Sequence, residues 1–163
     1  MRETTIHCSS AVKDLWPSPL AKRWAAEYPQ LFDDDDVRLT RFQAKYHFVE
    51  WFAAIHIFQR DGVRSLVEKY TFGTHPLKRA RLDTLLTEQQ SGALHEIRKS
   101  IGVQPPDLLL YDAGSLIGFA EVKGPGDLLR EKQLESHRMI RRRLRVPVEI
   151  VNVKLVSVPR SLT

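Results

Sequence analysis

Cysteine is almost missing from this chain. Cys8 is the single example among 163 residues. One thiol forms no internal disulfide and builds no cysteine-rich zinc site, so a reducing compartment is the default expectation. Long apolar runs are missing too. None is long enough to span a bilayer, and the opening stretch MRETTIHCSSAVKDLW has no apolar segment of signal-peptide length. A soluble, cytoplasmic protein with no membrane partner is expected. Internal repeats are absent, which excludes repeat architectures, and the single low-complexity tract is the run Asp33 to Asp36. Nothing resembles a base-reading module.

What is present is ordinary for a folded domain. Hydrophobic residues make up 42% and charged residues 28% of the chain, which argues against disorder and for one domain with its own core. The net charge of +5 hints at a polyanionic partner without proving one.

Along the chain, residues 1–36 carry the least information and read as a helical N-terminal extension. A short helix is expected from Ala21 to Tyr28, and the Asp run reads as a turn or helix start, since acidic groups favour a helix N-terminus. A domain spanning 37–163 follows. Residues 37–60 read as one helix, apolar over most of its circumference and therefore buried. One row is Phe42, Tyr46, Val49, Ala53 and Ile57; another is Phe48, Phe52 and Ile55. Glu50 lies within that surface, and on its own it reads as a rim residue paired with an arginine. A further helix is expected over Gly62 to Tyr70, then a loop holding Lys78, Arg79 and Arg81. The next helix spans residues 82–100, halted by Gly102 and Pro105-Pro106.

After Pro106 the period changes. DLLLYD and LIGFAEVK are apolar runs joined by a short turn at Asp112 to Ser115. Residues 128–145 have helical composition with Asp127 placed to cap them, and Val148 to Val156 alternate as a strand. The fold class is α/β, a small mixed sheet flanked by helices, with a helical crossover into the last strand.

The hairpin has a chemical consequence. The start of its first strand lies beside the end of its second, so Asp107 is brought near Glu121 and Lys123, which share a face. Two carboxylates and an ammonium at the edge of a buried sheet suit Mg²⁺ or Mn²⁺, a hard cation bound by carboxylates, water and phosphate oxygens. Such a metal activates water and polarises a phosphoryl group, and a nearby lysine offsets developing charge. A strand-rim ion pair is the plainer alternative.

The motif PPDLLLY…FAEVKGPGDLLREKQ resembles the PD-(D/E)XK nuclease superfamily, and more closely its VRR-Nuc branch, over residues 105–155. The resemblance implies a restriction-endonuclease-like core. It implies metal ligation by Asp107, Glu121 and the Val122 carbonyl, a catalytic role for Lys123, and a motif glutamine at Gln133. It also implies an acidic residue from an upstream helix, for which Glu50 is the candidate. The residues themselves put Gln133 in the inward row Leu129, Gln133, Ser136, Ile140 and Leu144, where a polar group wants a partner.

The expected function is a Mg²⁺- or Mn²⁺-dependent DNA nuclease acting in replication, repair or recombination. Small relatives suggest a homodimer that cuts junctions or flaps. Phosphate contacts are expected from Arg138, Arg141, Arg142 and Arg145 on the helix after the motif, with Arg143 and His137 nearby, and from Lys78, Arg79 and Arg81. Two rivals stay open. One is a non-catalytic nucleic-acid-binding module. The other is a nuclease subunit active only within a larger repair or transposition complex.

Overall fold

The computed structural model describes residues 1–157; residues 158–163, the end of the expected 37–163 domain, lie outside them. Five strands form a single mixed sheet: β1 (Glu3–Ser9), β2 (Arg64–Val67), β3 (Leu108–Asp112), β4 (Ser115–Lys123) and β5 (Val148–Val156), in the order β1-β5-β4-β3-β2. β3 runs antiparallel to both β2 and β4, whereas β5 is parallel to β4 and β1. Among the described residues seven helices flank it: α1 (Ser10–Lys13), α2 (Leu20–Glu27), α3 (Asp34–Phe42), α4 (Phe48–Asp61), α5 (Pro76–Leu85), α6 (Glu88–Ile101) and α7 (Glu131–Leu144). The class is α/β, as the pattern of runs and periods implies.

Both faces of the sheet are covered, which is why β3 opens on the unbroken apolar run Leu108 to Tyr111. Leu108, Leu110, Ala120, Val122 and Val151 pack beneath α4 with Trp51, Ala53 and Ile57. Leu109, Tyr111, Phe119 and Val148 pack on the other side with Leu82, Ile97, Ile140 and Leu144. The β3–β4 turn is two residues, Ala113 and Gly114, with φ of 48° and 76°. Two positive φ angles match the twist of a tight hairpin, so the turn falls where the sequence puts it.

Five expectations are corrected. Residues 1–36 are not a wholly helical extension. Residues 3–9 form an edge strand parallel to β5, and Ile6, Cys8, Leu20, Ala21, Leu31 and Phe32 belong to the same core as Trp51. A short edge strand whose partner lies some 150 residues away in the chain leaves only a faint local signature.

The single helix over 37–60 is two. α3 ends at Phe42 with Gln43 as its cap, and His47 adopts a left-handed backbone, φ 77°, before α4 begins. The break turns Phe42 and Tyr46 out of the expected inward row, leaving them 79% and 67% exposed. The Asp run starts α3 as expected: Asp33 caps it and exchanges side-chain bonds with Asp36.

Residues 64–67 are strand, not helix. Gly62, at φ 70°, closes α4, and pairing of β2 with β3 decides the conformation that follows. Finally, the expected loop around Lys78 is helix α5, which Pro76 opens from its first turn. α7 begins at Glu131 rather than 128, because the Asp127 carboxylate accepts from the Gly124 N–H at 3.0 Å and Gln133 Oε1 accepts from the Arg130 N–H at 3.0 Å.

Candidate metal centre

Four elements converge at one end of β3 and β4. α4 contributes Glu50 from its first turn. The residue before β3 is Asp107, the end of β4 carries Glu121, Val122 and Lys123, and the first turn of α7 carries Gln133. All six line one open cleft. The hairpin brings Asp107 beside the end of β4 as expected: its Oδ2 accepts from the Val122 N–H at 2.9 Å. The Asp107 carbonyl accepts from the Glu68 N–H at 2.7 Å, and the Pro106 carbonyl accepts from the buried Tyr70 hydroxyl at 2.6 Å. The aspartate is therefore fixed by its own backbone and by both neighbouring strands.

Glu121 and Lys123 share the side of β4 covered by α7, as strand alternation requires. Lys123 Nζ lies 3.0 Å from Glu121 Oε1 and donates to Gln133 Oε1 at 3.1 Å. Gln133 Nε2 donates to the same Glu121 oxygen at 2.9 Å. Gln133 thus has the partner its inward position calls for, and the three side chains form one polar unit. His137 belongs with it: it is buried within α7, and its Nε2 sits 3.6 Å from Glu121 Oε2. The sequence groups His137 with the basic outer face of that helix; the structure turns it inward.

The acidic cluster is different from the expected pair. Oxygens of Glu50, Glu68 and Asp107 all come within 4.8 Å of one another, whereas Glu121 is turned toward Lys123 and Gln133. Among the described residues Glu50 makes no rim salt bridge, and its Oε2 is buried without a hydrogen-bond partner. Burial pushes the Glu50 carboxyl well above the usual carboxylate range, and the nearby charges of Glu68 and Asp107 push it the same way. Burial also raises Asp107, with the Glu121 charge adding to it and the Val122 N–H pulling back. Mutually repelling carboxylates around an unpartnered oxygen are the donor set a hard divalent cation takes.

Glu68 and the residue that holds it, His47, escape a reading of the sequence. His47 Nδ1 bonds the Glu68 carboxylate, and His47 Nε2 pairs with Gln43 Oε1 at 2.8 Å. Glu68 and Lys69 both sit at left-handed φ, 44° and 46°, a conformation that costs a non-glycine residue energy and recurs at functional sites. A signal existed. LVEKY, an apolar pair followed by Glu and Lys, echoes FAEVK, and read as a strand end it puts Glu68 beside Asp107.

The cations expected to meet phosphate divide sharply. Arg138, Arg142 and Arg145 are exposed on or just past α7, Arg141 is half-buried with an N–H 3.5 Å from Met1 Sδ, and Arg143 is paired with Glu96 at 2.5 Å. Arg145 lies about 18 Å along the helix axis from Gln133, at 1.5 Å per residue. Lys78 is a correction: it is 1% exposed, paired with Asp36 and bonded to the carbonyls of Val67 and Glu68, so it has no reach to an external phosphate. Arg79 is bonded to the Thr71 carbonyl at 3.0 Å and lies 3.6 Å from Asp83. Arg81 leans over the Tyr111 ring. Among the described residues no helix is long and apolar enough to cross a membrane. Compared with protein-family models, with curated proteins and with solved structures, this chain matches none.

Proposed function

We propose that the chain is a Mg²⁺- or Mn²⁺-dependent deoxyribonuclease with a restriction-endonuclease-like core of the PD-(D/E)XK, VRR-Nuc kind. The observation that carries this reading is the cleft itself. A buried, unpartnered carboxylate oxygen on Glu50 faces a cluster of acidic groups, and a lysine–glutamine–glutamate unit stands beside it. The resemblance of residues 105–155 supports the same chemistry.

Glu50, Asp107 and Glu121 would hold the ion with the Val122 carbonyl, and Glu68 adds a fourth carboxylate. A bound divalent ion polarises the phosphodiester and lowers the pKa of a water. The protein's own residues do the rest. Glu121 and Gln133 hold the Lys123 ammonium on the cleft wall, where it orients the attacking water and offsets charge growing on the phosphate. The Val122 N–H fixes one Asp107 oxygen, so the other is free to face the cleft. Exposed arginines of α7 suit backbone contacts, which bind without reading sequence.

The test is cleavage by wild type and Lys123→Ala of duplex, single-stranded, flap and four-way-junction DNA, each in EDTA, Mg²⁺ or Mn²⁺. Wild type is expected to cut only with metal, and the variant about 10²–10³-fold more slowly, the usual loss when one preorganised electrostatic group is removed. Binding of DNA by both proteins with no cleavage in either metal would overturn the enzyme reading in favour of a binding module. Cleavage that appears only with an added partner would point to a subunit of a larger complex.

A further inference from the structure

We infer that residues 41–47, the segment joining α3 to α4, form a stacking platform for the unpaired bases of a single-stranded nucleic acid at the rim of the cleft; this rests on the nuclease reading and names its substrate class. Most of the chain's aromatic residues are packed inside. Trp16, Trp24, Phe48 and Trp51 stack and meet edge to face in the core beneath α4. Phe42 and Tyr46 are the exceptions, 79% and 67% exposed and four residues apart. Arg41 precedes Phe42 and Lys45 precedes Tyr46, both cations exposed, and residues 41–47 contain no acidic side chain.

The segment is held rather than loose. The Tyr46 carbonyl accepts from Trp16 Nε1 at 3.1 Å, so its backbone is pinned to the core while its ring stays outside. Gln43 Oε1 pairs with His47 at 2.8 Å and with Lys69 Nζ at 3.4 Å, and His47 bonds Glu68 of the acidic cluster. Glu50 follows within a turn of α4. The platform is thus tied to the same residues that line the candidate metal centre.

Exposed aromatic rings on a fixed backbone, each next to a cation in the chain, are what single-stranded nucleic acid needs. Bases stack on the rings, and the phosphates between them meet Arg41 and Lys45. Duplex DNA has its base faces already stacked on each other, so it gains the charge contact alone. The platform therefore discriminates in favour of unpaired strands, which flaps and open junctions supply.

The experiment measures fluorescence anisotropy in EDTA, so that nothing is cut. The probes are oligothymidylate, oligouridylate, an abasic oligonucleotide of equal length, and duplex DNA, with co-sedimentation on anionic phospholipid vesicles run alongside. Wild type is expected to bind the base-bearing single strands more tightly than the abasic one. Phe42→Ala with Tyr46→Ala is expected to weaken oligothymidylate binding by about fivefold to a hundredfold, the range set by base–aromatic stacking, and to leave abasic and duplex binding unchanged. Tyr46→Phe keeps the ring and keeps the binding. The two nucleotide arms show whether DNA or RNA is preferred.

The inference is overturned if wild type does not distinguish abasic from base-bearing strands, or if the double variant loses duplex binding equally. It is also overturned if the double variant loses only binding to anionic phospholipid vesicles, which would make the patch a membrane contact. If wild type cuts nothing yet binds single strands through Tyr46, the nuclease reading fails alone. If wild type cuts and the double variant binds single strands normally, the platform fails alone.

Discussion

Two charge clusters meet at Glu68, one buried and one half-buried, and they are built on opposite plans. On one side Asp36 pairs with Lys78, and the same ammonium donates to the Val67 carbonyl and to the Glu68 carbonyl at 3.1 Å. The Asp36 carboxylate also takes the Asp33 N–H at 2.9 Å. Every charge there has an internal answer, and the result ties α3 and α5 to the end of β2. On the other side the Glu68 carboxylate joins Glu50 and Asp107. His47 bonds Glu68, but Glu50 Oε2 has no partner. Buried charge that is fully compensated holds architecture together. Buried charge left open is stabilised only when something from outside brings the missing sign.

The strongest way to break this contrast is to remove the cation from the compensated side. Lys78→Ala leaves Asp36 buried without its partner and is expected to cost about 3–5 kcal/mol of stability, read from the urea midpoint. Burial already raises Asp36 from 3.8 to about 7, with Lys78 pulling it back. In the variant that pull is gone, so the fold favours the protonated form still more. The deficit is therefore smallest near pH 4 and widens as pH rises through about 7. Asp36→Leu combined with Lys78→Met is expected to recover most of the loss, because an apolar pair replaces the charges rather than stranding one. An unchanged midpoint in Lys78→Ala would show that the pair has no structural role.

On the open side the expected sign reverses. Glu50 resists losing its proton in the fold, so its contribution to stability is complete below the unfolded carboxyl pKa near 4.5 and is lost as pH rises toward its raised folded value. Glu50→Gln removes that penalty. In EDTA the variant is expected to match wild type at acid pH and to exceed it at neutral pH by about 1–3 kcal/mol, the scale of one buried unsatisfied polar group. If the cluster holds the ion as proposed, Mn²⁺ at a hundred times its dissociation constant should stabilise wild type by about 2.7 kcal/mol, read as a higher melting temperature, and leave Glu50→Gln nearly unmoved. Metal affinity should climb with pH, since the ion displaces protons held by Glu50 and Asp107. Equal Mn²⁺ protection of both proteins would remove Glu50 from the site.

The same contrast explains which parts of the molecule can be read from its sequence. The β3–β4 hairpin, α7 and β5 follow from local signals: apolar runs of strand length, the two-residue turn at Ala113-Gly114, and a helical row ending in Ile140 and Leu144. Asp107, Glu121, Lys123 and Gln133 come together because a hairpin and the helix after it dictate their meeting. The first hundred residues depend on partners far along the chain. β1 needs β5, β2 needs β3, and the break at His47 needs Glu68, which lies 21 residues on. No local period encodes those pairings. Lys78 looks like one of three basic surface residues because the run Leu-Lys-Arg-Ala-Arg does not say which cation turns inward. Glu68 is missed for the same reason: it joins the cluster only once residues 64–67 are strand.

The smallest effects belong to the exposed cations, and they sharpen the contrast from the solvent side. Arg142 is exposed and has no protein partner among the described hydrogen bonds and ion pairs, so under the proposed function it is the cation free to meet a phosphate. Arg79 already bonds the Thr71 carbonyl and lies near Asp83. Under the nuclease reading, Arg142→Ala is expected to leave the melting temperature within experimental scatter. It should lower the slope of log binding constant against log salt for duplex DNA by about one. Arg79→Ala should leave that slope unchanged and alter stability by no more than about 0.5 kcal/mol, as an exposed pair of this geometry contributes little. A slope that falls for Arg79→Ala and not for Arg142→Ala would move the nucleic-acid path from α7 to α5, on the side of the compensated cluster.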